Sequence, residues 1–226
     1  MTEQYDAPLV KTIAMLGGTG KEGSALAMRW ALNGYKVIIG SRRQEKAETV
    51  AGELNHEMGG DYVTGLDNAS AAAAAEIVVS QCPLRGTPLT LEAVIEQIQG
   101  KILVDVTVPL KPPKVAIVNV PEGLSAAQEA QAFVGDDVRV VSAFQNVSYV
   151  KLRDPKANVA CDVLITGNDK AAKQDVIALV EAAGMRGIDA GSLANAIVAE
   201  ALTSVLVYIN KQYKIKHAGI HITGIE

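Results

Sequence analysis

Gly18, Gly20 and Gly23 stand in a G-x-G-x-x-G spacing within Leu16-Gly-Gly-Thr-Gly-Lys-Glu-Gly23. Glycines so spaced act by being small. In dinucleotide-binding loops the first permits a tight turn, the second lets a pyrophosphate approach the backbone, and the third lets helix and strand pack closely. Thr19, Lys21 and Glu22 fill the intervening positions. The phosphates would rest on unpaired N–H groups at a helix N-terminus, where the helix dipole favours negative charge. About twenty residues on, where an NAD site usually holds a carboxylate for the ribose 2′-hydroxyl, the chain carries Ser41-Arg42-Arg43. Lys46 lies one helical turn beyond Arg42. A guanidinium fork suits a 2′-phosphate and a carboxylate would repel one, so the expected ligand is NADP rather than NAD. The competing explanation, a solvated arginine pair at a helix start, is weakened because first-turn positions favour acidic residues.

The elements that must position these residues follow from periodicity. An apolar run, Ile13 to Leu16, leads into the glycine loop; a helical stretch, Ser24 to Leu32, follows, and a second run, Val37 to Ile39, ends at Ser41. Arg43 to Met58 reads as a helix with Ala47, Val50, Ala51 and Leu54 on one face, closed by Gly59-Gly60. Further helices are expected at Asn68 to Ala75, Pro88 to Gln99 and Ser125 to Phe133. Strands are expected at Asp61 to Gly65, Glu76 to Cys82, Lys101 to Thr107 and Arg139 to Phe144. The alternation is that of an α/β chain, a doubly wound parallel sheet of Rossmann type spanning residues 1–145. From about Asn146 the rhythm changes. Tyr149 to Val159 is polar and loop-like, Cys161 to Thr166 a strand, Asp169 to Ala183 a helix, and Gly187 to Asp189 extended. Asn195 to Lys214 reads as a long helix whose Val198, Leu202, Val205 and Ile209 form an apolar stripe, widened by Ile197, Ala201 and Leu206. Residues 146–226 are therefore expected to form a small C-terminal α/β domain ending in that helix, with part of the stripe facing a second subunit of a homodimer.

Composition narrows the function classes. Of 226 residues 49% are hydrophobic but only 4% aromatic, which suits helices laid on a parallel sheet. A net charge of −4 provides no general basic surface for nucleic acid. The first residues lack a basic region followed by an apolar core. Asn195, Glu200, Thr203 and Ser204 interrupt the longest apolar stretch and make it a poor membrane span. Cys82 and Cys161 have neither CxxC nor metal-ligand spacing. The expectation is a soluble cytoplasmic protein whose partners are small molecules.

Conventional catalytic groups are scarce. His56 sits at the polar end of a helix, while His217 and His221 belong to a C-terminal tail with a structural default. The carboxylates are dispersed, so neither a nucleophile, an acid–base residue nor a metal site is assigned. That pattern fits hydride transfer between two bound cofactors, which needs proximity and orientation more than acid or base. Three loops at strand C-terminal ends should shape the pocket. Cys82-Pro83-Leu84 would flank the adenosine or nicotinamide ribose, and Val108, in an apolar rim, would meet the nicotinamide. Ala143 to Ser148 follows the last strand, and the amides of Gln145 and Asn146 suit a polar heterocycle.

With these residues in hand, the chain resembles the NADPH-dependent reductases of the deazaflavin coenzyme F-420. The resemblance runs through Leu16 to Gly20, Gly40 to Arg43, Val104 to Pro109, Val141 to Val147, Asp189 to Gly191, Glu200 to Thr203 and the His217 to Gly224 tail. It implies that Thr19 to Glu22 hold the pyrophosphate, that Ser41, Arg42 and Lys46 hold the 2′-phosphate, and that Cys82 to Leu84, Val108 and Ala143 line the nicotinamide end. It further implies direct hydride transfer between stacked rings, with the deazaflavin in the C-terminal domain. Archaeal members carry Pro-Trp where this chain has Pro83-Leu84. Two other readings of the NADP site are a reductase of another acceptor (a flavin, a ferric chelate or an imine) and a non-catalytic NADP-sensing protein.

Overall fold

A computed structural model describes residues 11–81, 87–120, 124–155 and 157–225. Cys82, Pro83 and Leu84 lie outside the described residues. Six parallel strands run β1 (Thr12–Leu16), β2 (Lys36–Ser41), β3 (Val63–Asp67), β4 (Ile77–Ser80), β5 (Ile102–Asp105) and β6 (Arg139–Ser142). β7 (Asp162–Gly167) and β8 (Arg186–Asp189) extend the same sheet, in the order β3-β2-β1-β4-β5-β6-β7-β8. β7 alone runs antiparallel to its predecessor, with Val141 opposite Gly167 and Ser142 opposite Thr166. The strand order reverses between β1 and β4, the place where α/β sheets open a ligand crevice at their C-terminal ends.

Helices cover both faces. α1 (Lys21–Leu32), α2 (Gln44–Met58), α6 (Tyr149–Leu152) and α7 (Lys170–Ala182) share one core, centred on Trp30, Met15, Ile39 and Val163. α3 (Asn68–Ala74), α5 (Ala126–Val134) and the start of α8 (Ala196–Gln212) share the other, with Leu16, Val78, Leu103 and Val140. α4 (Thr87–Glu92) is the short remainder of the helix expected at 88–99; residues after Glu92 form successive turns up to Gly100. The polar stretch after Tyr149 is not all loop, since its first four residues make α6 against α1.

Two features bear on the site. The first helix begins at Lys21, three residues before the periodicity suggests, so the last residues of the glycine loop form its first turn. The second is the facing of α8. Its buried residues are Ala196, Ala199, Glu200, Ser204 and Leu206, while Val198 is 60% and Val205 42% exposed. Apart from Leu206, small and polar residues rather than the apolar stripe form the buried side of α8, which packs on α5 and β7. The span Leu193–Gln212, although interrupted by polar residues, is long and apolar enough to cross a membrane by length and composition, with a mean hydropathy of 1.5.

Candidate active site

The glycine loop turns off β1 with the Gly18 N–H donating to Met15 O at 3.0 Å. The left-handed backbone of that turn falls on Gly17, φ 67°, a position the fingerprint spacing passes over. Gly18 is needed for a different reason: a Cβ there would lie 2.6 Å from Met15 Cβ and 2.7 Å from its carbonyl oxygen. Gly23 is equally constrained, because its Cβ would lie 2.9 Å from Gly18 Cα and collide with Gln81 Oε1. Gly20 differs from both. A Cβ there meets nothing nearer than Gly17 O at 4.0 Å, so the space over it is open. Gly20 is also the N-cap of α1 and offers no side-chain cap, which leaves first-turn N–H groups facing that space. A cradle closed behind and open in front, lined by free N–H groups, fits a pyrophosphate. Half-buried Glu22 sits in the same turn, and burial holds its carboxyl up to about 7.

β2 carries the second part. Ser41 is buried, and its Oγ accepts from Arg43 N–H at 3.3 Å. Arg42, Arg43 and Lys46 are exposed and form no ion pair among the described residues. Three cations at one strand end with no carboxylate partner have the charge and donors that a 2′-phosphate needs.

The remaining loops stand in a row, because β1, β4, β5 and β6 are neighbours in the sheet. Half-buried Gln81 follows β4. Val108, half-buried, follows β5 and its carbonyl accepts from Leu110 N–H at 2.8 Å. Ala143 is fully buried and its N–H donates to Asp105 O at 3.2 Å. Phe144 then takes φ 74°, a left-handed backbone that a bulky residue adopts only where its surroundings enforce it. Its ring is fully buried and stacks edge-on against Trp30, centroids 5.8 Å apart. The strained bend directs the next two side chains inward. Gln145 Nε2 donates to Asp105 O at 2.8 Å and Asn146 Nδ2 to Asp162 O at 2.7 Å. Both amide nitrogens are thus spent on bracing the loop, and Oε1 and Oδ1 are left without partners.

Periodicity and spacing passed over two buried acids, Asp105 and Glu200. Asp105, at the end of β5, is wholly buried; its Oδ1 accepts from Thr107 N–H at 2.6 Å and its Oδ2 has no partner. Burial pushes its carboxyl up. Glu200 reaches from α8 to the start of α5, accepting from Ala126 N–H at 2.9 Å and Ala127 N–H at 3.1 Å. Burial, with the Asp105 charge nearby, raises it to about 7 against the pull of those two bonds. Thr203, one turn along α8, donates to Gln145 O at 2.7 Å and ties α8 to the β6 loop. The available signals were an acid ending an otherwise apolar strand and a glutamate interrupting an apolar helix. Among the described residues no group of three His, Cys, Asp or Glu stands close enough to hold a metal.

Residues 12–109 match the family model described as NADP oxidoreductase, coenzyme F-420-dependent. The chain is 40% identical to the F-420-dependent NADP reductase of Methanocaldococcus jannaschii, over 95% of this chain and 99% of that one. It is 41% identical to that of Methanothermobacter marburgensis, over 94% and 98%. A crystal structure from Arthrobacter, assigned as an F-420-dependent NADP reductase, superposes with a TM-score of 0.78 at 28% identity, covering 94% of this chain and 99% of that one. Likeness at this level over nearly the whole length means that the chain belongs to the family of F-420-dependent NADP reductases.

Proposed function

We propose that the protein is an NADP-linked oxidoreductase that transfers a hydride between NADPH and the deazaflavin coenzyme F-420. The observation that carries this reading is that the likeness to the two methanogen reductases continues through residues 146–226, well beyond a loop that many dinucleotide enzymes share. When bound, the reduced nicotinamide supplies the hydride and the deazaflavin ring accepts it. The chain's own part is positional. Gly18 and Gly23 close the turn, Gly20 leaves room for the pyrophosphate, and the first-turn N–H groups of α1 meet its charge, with Thr19, Lys21 and Glu22 around it. Ser41, Arg42, Arg43 and Lys46 hold the 2′-phosphate and select NADP over NAD. Val108 and Ala143, with Cys82 to Leu84, line the nicotinamide end. Gln145 and Asn146, buried and bonded through their amide nitrogens, brace the loop on the acceptor's side. No nucleophile and no acid–base residue is assigned, because a hydride passing between two aligned rings needs orientation and exclusion of water.

In this reading residues 1–145 hold the dinucleotide, and 146–226 hold the deazaflavin and the contact to a second copy. The outward face of α8, with Val198, Val205 and Tyr208 exposed, supports a homodimer. The enzyme works on small molecules in the cytoplasm. Mixing it with NADPH and oxidised coenzyme should bleach the visible deazaflavin band, with NADH far slower and flavin mononucleotide inert. Absence of bleaching under steady-state conditions overturns the reading. Light scattering that finds a stable monomer at micromolar concentration overturns the dimer.

A further inference from the structure

The first turn of α1 carries an ammonium whose partner is an aromatic ring. Lys21 is exposed and makes no ion pair among the described residues, although Glu22 stands next to it in the chain. Its Nζ lies over the ring of Tyr149, 5.8 Å from the centroid and within cation–π range. Tyr149 opens α6, directly after the β6 loop, so this contact joins the glycine loop to the far side of the crevice. The ring is held from behind. Arg29, about two turns along α1 from Lys21, donates to the carbonyls of Leu152 at 2.8 Å and Lys151 at 3.2 Å, the last two residues of α6. Trp30, next to Arg29, packs edge-on against Phe144 of the β6 loop. These contacts fix α6 on α1. Tyr149 itself belongs to neither core and stays 37% exposed, so its place at the surface is set by its neighbours and its face is spent on the lysine.

Direction decides what the held cation can reach. Side chains of an α-helix tilt toward its N-terminus, so a lysine at the first helical position projects over the end of the helix. The end of α1 is the Gly20 cradle, with its open space and uncapped N–H groups. A free lysine gives up rotamer freedom when it meets a phosphate, and a ring that already restrains it removes part of that cost. We propose that Tyr149 is a positioning residue of the dinucleotide site: its ring face holds the Lys21 ammonium at the mouth of the cradle, where it pairs with the pyrophosphate. This rests on the reductase reading above, in which that cradle takes NADPH.

The test is equilibrium titration with NADPH and with 2′-AMP, which keeps the 2′-phosphate and lacks the pyrophosphate. Tyr149→Leu should weaken NADPH binding about threefold to fivefold, the size of an exposed cation–π contact. Tyr149→Phe keeps the ring face and should retain wild-type affinity. Lys21→Met should weaken NADPH binding about tenfold or more, and adding Tyr149→Leu to it should cost nothing further. 2′-AMP should bind the wild type and every variant alike. Wild-type NADPH affinity in Tyr149→Leu or Lys21→Met overturns the proposal, and so does a Tyr149→Phe variant as weak as Tyr149→Leu. A leucine loss that persists in the Lys21→Met background, or a parallel loss of 2′-AMP affinity, overturns it equally. The reductase reading fails by a different result, wild-type protein that binds NADPH and does not bleach the deazaflavin.

Discussion

Replacing Arg42 with Asp tests the 2′-phosphate assignment at its most exposed point. Arg42 is solvent-facing and makes no ion pair among the described residues, so its removal orphans nothing in the fold. A charge-assisted bond to phosphate contributes about 1.5–3 kcal/mol, and exposure argues for the lower end. The introduced carboxylate adds repulsion of about 1 kcal/mol per unit charge at 4 Å in water, and about twice that against a doubly charged phosphate. The two effects sum to about 3 kcal/mol, or roughly a hundredfold loss of NADPH affinity. NADH has no 2′-phosphate, so its affinity should change by no more than about twofold, the repulsion being screened beyond a Debye length of about 8 Å. Titration of each nucleotide by nicotinamide fluorescence measures both, and repeating it at high salt should shrink the NADPH loss. Equal losses for the two nucleotides, or no loss for NADPH with an unchanged melting temperature, refutes the reasoning.

Other expectations follow from the same geometry. Gly20→Val should leave the melting temperature near the wild-type value, since the space there is open, yet abolish NADPH binding; retained binding would sink the pyrophosphate cradle. Gly18→Ala, whose Cβ would press on Met15, should instead lower thermal stability, and an unchanged melting curve would count against that contact. Glu22 and Glu200 are both held up to about 7 by burial, above the 4.5 of the unfolded chain. The folded state therefore binds the extra protons between those values, and stability falls as pH rises from about 4.5 to about 7. Each full shift is worth at most roughly 3 kcal/mol, and buried Asp105 adds to the same trend, so Glu200→Gln should reduce the slope seen in urea melts across that interval without abolishing it. An unaltered slope contradicts the assignment. Arg29, 1% exposed, donates to the carbonyls of Leu152, Ala183, Lys151, Asp154 and Ala157. Arg29→Met leaves those acceptors unpaired and should cost more than about 3 kcal/mol by chemical denaturation; a cost below about 1 kcal/mol would show that water replaces the guanidinium.

Much of the part from β1 to β6 could be read directly from the chain. Its central strands are apolar runs because both faces are covered, α2 and α5 close on Gly59 and Gly135, and its glycine loop depends on residue size at fixed spacing. Local rules of that kind act over a few residues and leave a mark in linear order. The roles of Gln145 and Asn146 were less legible. Their amides suit a heterocycle, but whether a nitrogen is free depends on which carbonyl lies across the sheet, and both nitrogens are already bonded. The same holds for α8. Its apolar stripe is evident in the sequence, yet the face turned inward carries Glu200 and Ser204, because the start of α5 has N–H groups that an aliphatic side chain cannot satisfy.

The sequence by itself determined the class of sheet, the glycine loop and the cationic Ser41 to Lys46 cluster, since each rests on residue type and short spacing. Only the tertiary structure decided that β7 turns antiparallel and extends the sheet, that Glu200 of α8 caps the start of α5, and that Ser148 meets His217 across sixty-nine positions. Those juxtapositions depend on which distant segments must share a buried surface, a condition set by packing the whole chain and carried by no local pattern.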